Sequence, residues 1–177
     1  MFLRIMTYCQ VMPAYLDFVS VFGSQLDPRD LRFSGFHEQI TLASDHSSQF
    51  EVPGLRRSGQ QYQLCYNLKA VAALPQDPNY PDIKEWSIRQ AAFHHQFDVK
   101  YGTATWISTK GGLKDLKTRV EELTGKEGRP EDKDYSSLAA CFNSSLSVHL
   151  MYCSWSMEGW RSYIRWLEDT IERKVSI

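Results

Sequence analysis

Gln61-Tyr62-Gln63-Leu64-Cys65-Tyr66-Asn67-Leu68-Lys69 is the stretch that decides the fold class. Tyr62, Leu64, Tyr66 and Leu68 alternate with Gln61, Gln63, Asn67 and Lys69. Period two is the signature of a half-buried antiparallel strand, because successive side chains leave a strand on opposite faces. The pattern holds from Tyr62 to Ala72. Pro75, Pro78 and Pro81 then exclude regular structure across 73–84, since proline lacks the N–H a ladder needs. Upstream, Phe33 to Leu42 reads as a second strand with Phe36, Ile40 and Leu42 on one face. A Ser-, Asp- and Gln-rich loop over 43–60 follows it, with Pro53-Gly54 as a turn signal.

Downstream, Trp86 to Val99 and Tyr101 to Thr109 are two β-type runs, and the pair reads as a hairpin turning near Asp98 to Gly102. Trp86 and Ile88 occupy even positions, whereas Phe93 and Phe97 occupy odd ones. The first run must therefore carry a bulge or be buried on both faces. Helical patterns flank this block. Residues 2–23 are helical with a break at Pro13. Leu113, Leu116, Val120 and Leu123 form a stripe that Gly125 closes. A helix is expected from about Ser136 to Tyr152. A last one runs from about Ser156 to Val175 with Trp160, Ile164, Leu167, Ile171 and Val175 spaced like a coiled-coil seam. The expected class is α+β: an antiparallel-rich sheet with N-terminal helices and a C-terminal helical block.

At 177 residues the chain is the size of one domain. Twenty basic against twenty-one acidic side chains leave a net charge of −1, which argues against a sequence-independent nucleic-acid binder. No apolar run approaches the length of a membrane span. The apolar start is soon interrupted by Gln10 and Pro13 and lacks a signal peptide's cleavage site. Cys9, Cys65, Cys141 and Cys153 include no CxxC pair, so they are expected to be reduced.

The sequence offers few starting points for chemistry. His94-His95-Gln96-Phe97-Asp98 looks like a ligand set, but neighbouring strand residues point to opposite faces. His94 and Asp98 would stand roughly 13 Å apart, too far to share an ion. His149 and Cys153 share a helical face and read as a core histidine beside a buried cysteine. Thr109-Lys110-Gly111-Gly112 lacks the P-loop pattern and reads as a strand-to-helix loop. No nucleophile elbow occurs, so no catalytic and no metal-binding residue is nominated.

Trp86-Ser87-Ile88-Arg89-Gln90-Ala91-Ala92-Phe93-His94-His95-Gln96-Phe97-Asp98, with Thr105-Trp106-Ile107 after it, resembles the N-terminal region of a fungal family of CorA-like transporter domain proteins. So do Gln10-Val11-Met12-Pro13 with Leu16-Asp17-Phe18, Phe33-Ser34-Gly35-Phe36, and the helix from Trp160 to Glu168. The resemblance implies a cytoplasmic domain, spanning 1–177 as the N-terminal part of a longer, membrane-anchored chain. Its last helix, from about 156, would lead to a stalk. It implies a non-enzymatic regulatory or interaction domain linked to divalent-cation transport. Trp86, Arg89, Gln90 and His94 are nominated as ligand-binding because they carry the motif. Trp160, Ile164, Leu167 and Ile171 are nominated as a homo-oligomer interface. Mg²⁺ enters by resemblance alone. A free-standing protein- or small-ligand-binding module is the alternative reading, and an enzyme with a site assembled across the fold is a third.

Overall fold

The computed structural model describes residues 2–22, 33–42, 51–74, 86–110 and 114–175. The alternating stretch becomes β2 (Gln61–Ala73), hydrogen-bonded between β1 (Phe36–Thr41) and β3 (Trp86–Asp98). β4 (Thr103–Lys110) completes a four-stranded antiparallel sheet in the order β1-β2-β3-β4. The β3–β4 hairpin closes where expected. Gly102 takes φ +65, a conformation that favours glycine, and its N–H bonds the Asp98 carbonyl at 2.9 Å. The Asp98 carboxylate caps the same turn by accepting from the N–H groups of Lys100 and Tyr101.

The parity change in β3 is resolved without a bulge. Its register against β2 runs unbroken from Gln61↔Asp98 to Ala73↔Trp86, and every residue from Ala91 to Asp98 is buried. Helices cover both faces of the sheet. On one side lie two short helices, α1 (Phe2–Tyr8) and α2 (Tyr15–Ser20), interrupted around Pro13 as its position predicts. Met6, Met12, Tyr15 and Phe18 pack there against Cys65 and Ala92. On the other side lie α3 (Lys114–Thr124) and α4 (Leu138–Met157). Leu116, Val148, Tyr152 and Trp155 pack there against Ala70, Ala91 and Phe93. Phe93 stacks on Tyr152 with ring centroids 3.9 Å apart. The result is three layers, with β3 in the middle.

Ser137 starts α4 by accepting a hydrogen bond from the Ala140 N–H at 3.1 Å. The helical block then breaks at Glu158-Gly159, and α5 (Trp160–Val175) follows. Gly159 takes φ +79 and lies directly against the Val71 carbonyl. A side chain there would have to displace β2. The expected stretches 24–30 and 43–50, and Leu113 of the α3 stripe, lie outside the described residues. The four cysteines are free thiols. Cys65 is buried, but Cys153 is exposed, so the pairing of His149 with a buried cysteine does not hold. No helix among the described residues is long and apolar enough to cross a membrane.

Candidate functional site

Two consecutive histidines sit at the centre of β3, and the strand period sends them to opposite sides of the sheet. Both are 0 % exposed. His95 faces α4. Its ring stacks on Trp106, directly across in β4, with centroids 4.1 Å apart and planes 13° from parallel. His95 Nδ1 lies 3.0 Å from His149 Nε2 on α4 and 3.1 Å from the Tyr62 hydroxyl on β2. His149 Nδ1 in turn lies 2.8 Å from the Tyr66 hydroxyl. A continuous chain, Tyr66–His149–His95–Tyr62, thus ties the helix to the sheet.

Burial sets the charge state of this chain. It pushes His95 down to about 3, helped by His149 and His94, and His149 down to about 4. It raises the Tyr62 and Tyr66 hydroxyls. Both imidazoles are therefore neutral near pH 7, and only one proton lies between them. If His149 Nε2 carries it, His95 is protonated at Nε2. If His95 Nδ1 carries it, Nε2 keeps a lone pair. Either way His95 Nε2 is buried without a partner, at a cost of about 1–3 kcal/mol.

His94 faces α1 and α2 beneath the Tyr15 ring, 5.4 Å between centroids. Its Nε2 is 2.9 Å from Gln63 Oε1, which also accepts the Met12 N–H at 2.9 Å. An atom facing a backbone N–H must be the amide oxygen, so His94 is protonated at Nε2 and its Nδ1 is a buried acceptor without a partner. Burial holds this ring at about 4. Tyr15 closes the layer: its hydroxyl lies 3.0 Å from Thr109 Oγ1, and burial raises it to about 12.

The four motif residues do not converge on one spot. They lie along β3 from Trp86 to His94, and alternation puts Arg89 on the opposite face from the other three. Trp86 meets Tyr163 and Trp166 of α5 at 5.7 and 6.5 Å. Arg89 and Gln90 are half-buried, and His94 is enclosed. The α5 stripe is anchored at its start, where Trp160 Nε1 donates to the Ser156 and Lys69 carbonyls. No residue of α5 is buried, and Ile164 and Ile171 are 50 % and 60 % exposed.

Sequence reasoning did not find the Tyr66–His149 end of the chain. Between β1–β2 and α4 that pair floors an apolar groove of ≈ 670 Å³, walled by Phe36, Leu64, Leu146 and Leu150. The available signal was the placement of Tyr62 and Tyr66 on one strand face; nothing in the sequence tied that face to His149. The cluster holds no carboxylate and no nucleophile beyond its hydroxyls. Among the described residues no group of three or more His, Cys, Asp or Glu side chains is placed to hold a metal ion. What the arrangement offers chemically is a neutral relay of hydrogen bonds between a helix and a sheet.

The chain fits the family model of CorA-like transporters over residues 1–176. No curated protein and no solved structure matches it. With the match covering nearly the whole chain, motif residues and helical stripe included, the protein belongs to the CorA-like transporter family.

Proposed function

We propose that this chain is a non-catalytic, cytoplasmic regulatory and interaction domain of a CorA-like membrane protein, linked to divalent-cation transport, and that it self-associates through α5. Family membership over residues 1–176 supports the link to cation transport. The observation that carries the self-association is the unburied stripe. Trp160, Ile164, Leu167 and Ile171 recur at spacings of four, three and four, the rhythm of a helix seam, on a helix with no buried residue. Covering one Ile side chain is worth roughly 1.5–3 kcal/mol, so a few such contacts per copy suffice for a weak to moderate association. The start of α5 is fixed to the sheet through Trp160, and through Trp86 against Tyr163 and Trp166. A change of packing along the stripe would therefore reach β3, where Arg89, Gln90 and His94 continue the same motif.

Light scattering behind size exclusion, with and without Mg²⁺, tests the reading. A defined oligomer whose distribution responds to the ion supports it. A monomer at high concentration, indifferent to Mg²⁺, sinks it and leaves a ligand-binding module as the better description.

A further inference from the structure

α5 divides its faces unevenly. Trp160, Tyr163, Trp166, Leu167 and Thr170 are half-buried, and the other residues from Arg161 to Val175 are exposed. The half-buried set turns towards the chain's own sheet, where Trp86 meets Tyr163 and Trp166 at 5.7 and 6.5 Å. At about 3.6 residues per turn, Ile164, Ile171 and Val175 fall together on the adjoining solvent face. They are 50 %, 60 % and 80 % exposed. Trp160 and Leu167 lie on the border between the two faces.

Beside that apolar stripe, on the side away from the half-buried face, runs a line of charge. Arg161, Arg165, Glu168 and Glu172 follow one another at spacings of four, three and four, so they share one flank of the helix. Their order is two bases, then two acids. Within one helix that order is unfavourable, because Arg161 and Arg165, and likewise Glu168 and Glu172, are like charges four residues apart. Among the described residues Arg161, Arg165 and Glu168 enter no salt bridge.

Charges that flank a helix seam decide which way a partner helix lies. A parallel copy would set Arg161 and Arg165 beside their own equivalents, and the two glutamates beside theirs. An antiparallel copy sets bases against acids along the whole flank, in pairs related by a two-fold axis. Ile164 of one copy then lies near Ile171 of the other, so the same arrangement closes the apolar stripe. Opposed helix dipoles act in the same sense.

From this pattern we infer that two copies pair α5 antiparallel about a two-fold axis, with Arg161 and Arg165 of each lying along Glu172 and Glu168 of the other. The pairing rests on the self-association through α5 proposed above and gives it a direction and a closed, two-membered form.

Sedimentation equilibrium of the wild-type protein at about 50 mM and about 500 mM salt tests the direction without any variant. Attraction between exposed charges is screened, so the dimer dissociation constant should rise severalfold with salt, whereas like charges on like would make it fall. Arg161→Glu with Arg165→Glu makes the flank wholly acidic and should weaken pairing about tenfold. Glu168→Arg with Glu172→Arg makes it wholly basic and should do the same. All four changes together reverse the order but keep both the complementarity and the net charge, so wild-type affinity should return. The four positions are exposed, and each variant should keep the wild-type circular dichroism. A wild-type dimer that tightens with salt overturns the antiparallel pairing and leaves self-association standing. So does a dimer indifferent to both double reversals, or a fourfold variant that fails to recover. A wild-type monomer overturns both.

Discussion

Acidification should unfold this protein earlier and more steeply than its carboxylates alone would cause, and three histidines set the size of the effect. His94, His95 and His149 are held at about 4, about 3 and about 4 by burial, against an unfolded value of about 6.5. A lowered folded-state value means that the unfolded chain binds more protons. The stability these groups confer is therefore complete above about pH 6.5 and is lost as pH falls towards their folded values. One pH unit below the unfolded value, each histidine that stays neutral in the fold costs about 1.4 kcal/mol, so three cost about 4 kcal/mol. A second unit roughly doubles that, which consumes most of the 5–15 kcal/mol available to a domain. Among the described residues no carboxylate contacts the His95–His149 pair to hold it as an imidazolium. The assay is urea denaturation followed by tryptophan fluorescence between about pH 7.5 and pH 4.5. His149→Gln should be less stable at neutral pH yet flatten the slope by about one third, because one of three protonation differences is gone. Equal unfolding free energies at about pH 7.5 and pH 5.5 would falsify the assignment of neutral buried rings.

Other substitutions separate packing from surface effects. Phe93→Ala removes a ring that is 0 % exposed and stacked on Tyr152. It should cost about 3–5 kcal/mol by denaturation, and a loss below about 1 kcal/mol would contradict a core centred on β3. Gly159→Ala places a methyl group against the Val71 carbonyl at a positive φ. Differential scanning calorimetry should record a lowered melting temperature, whereas an unchanged one would mean that the α4–α5 junction is looser than described. Arg119→Ala breaks a two-pronged contact with Glu158, 2.7 Å at each prong. Both partners are partly solvated, so the loss in denaturation should be at most about 1 kcal/mol.

The sheet was legible wherever one face meets helices and the other meets a different chemistry. Tyr62, Leu64, Tyr66 and Leu68 alternate with polar residues because the first set faces α4, whereas Gln61 and Gln63 face a cavity of ≈ 600 Å³ beside α1 and α2 and Asn67 bonds the Gly35 N–H and the Phe33 carbonyl. β3 resisted the same reading for a physical reason. Its polar residues are as buried as its apolar ones: His94 Nε2 bonds Gln63, and Gln96 Nε2 bonds Gln61. A hydrophobicity pattern cannot register burial achieved through hydrogen bonds. The α5 stripe was visible because helical spacing is local. The His95–His149 contact joins residues 54 positions apart and Tyr66–His149 joins residues 83 apart, and no local period carries such pairings. Nor does the sequence announce that Gln10 and Gln63 line one cavity, since a helix pair and a strand meet there only in the fold.

Sedimentation velocity on the wild-type protein beside the double variant Ile164→Asp, Ile171→Asp tests the central claim most directly. Both side chains are exposed on α5 and contribute nothing to the buried core, so the variant should keep the wild-type fold by circular dichroism. The account predicts an oligomer for the wild type and a folded monomer for the variant. A wild-type monomer, or an oligomer that survives both charges, would contradict it.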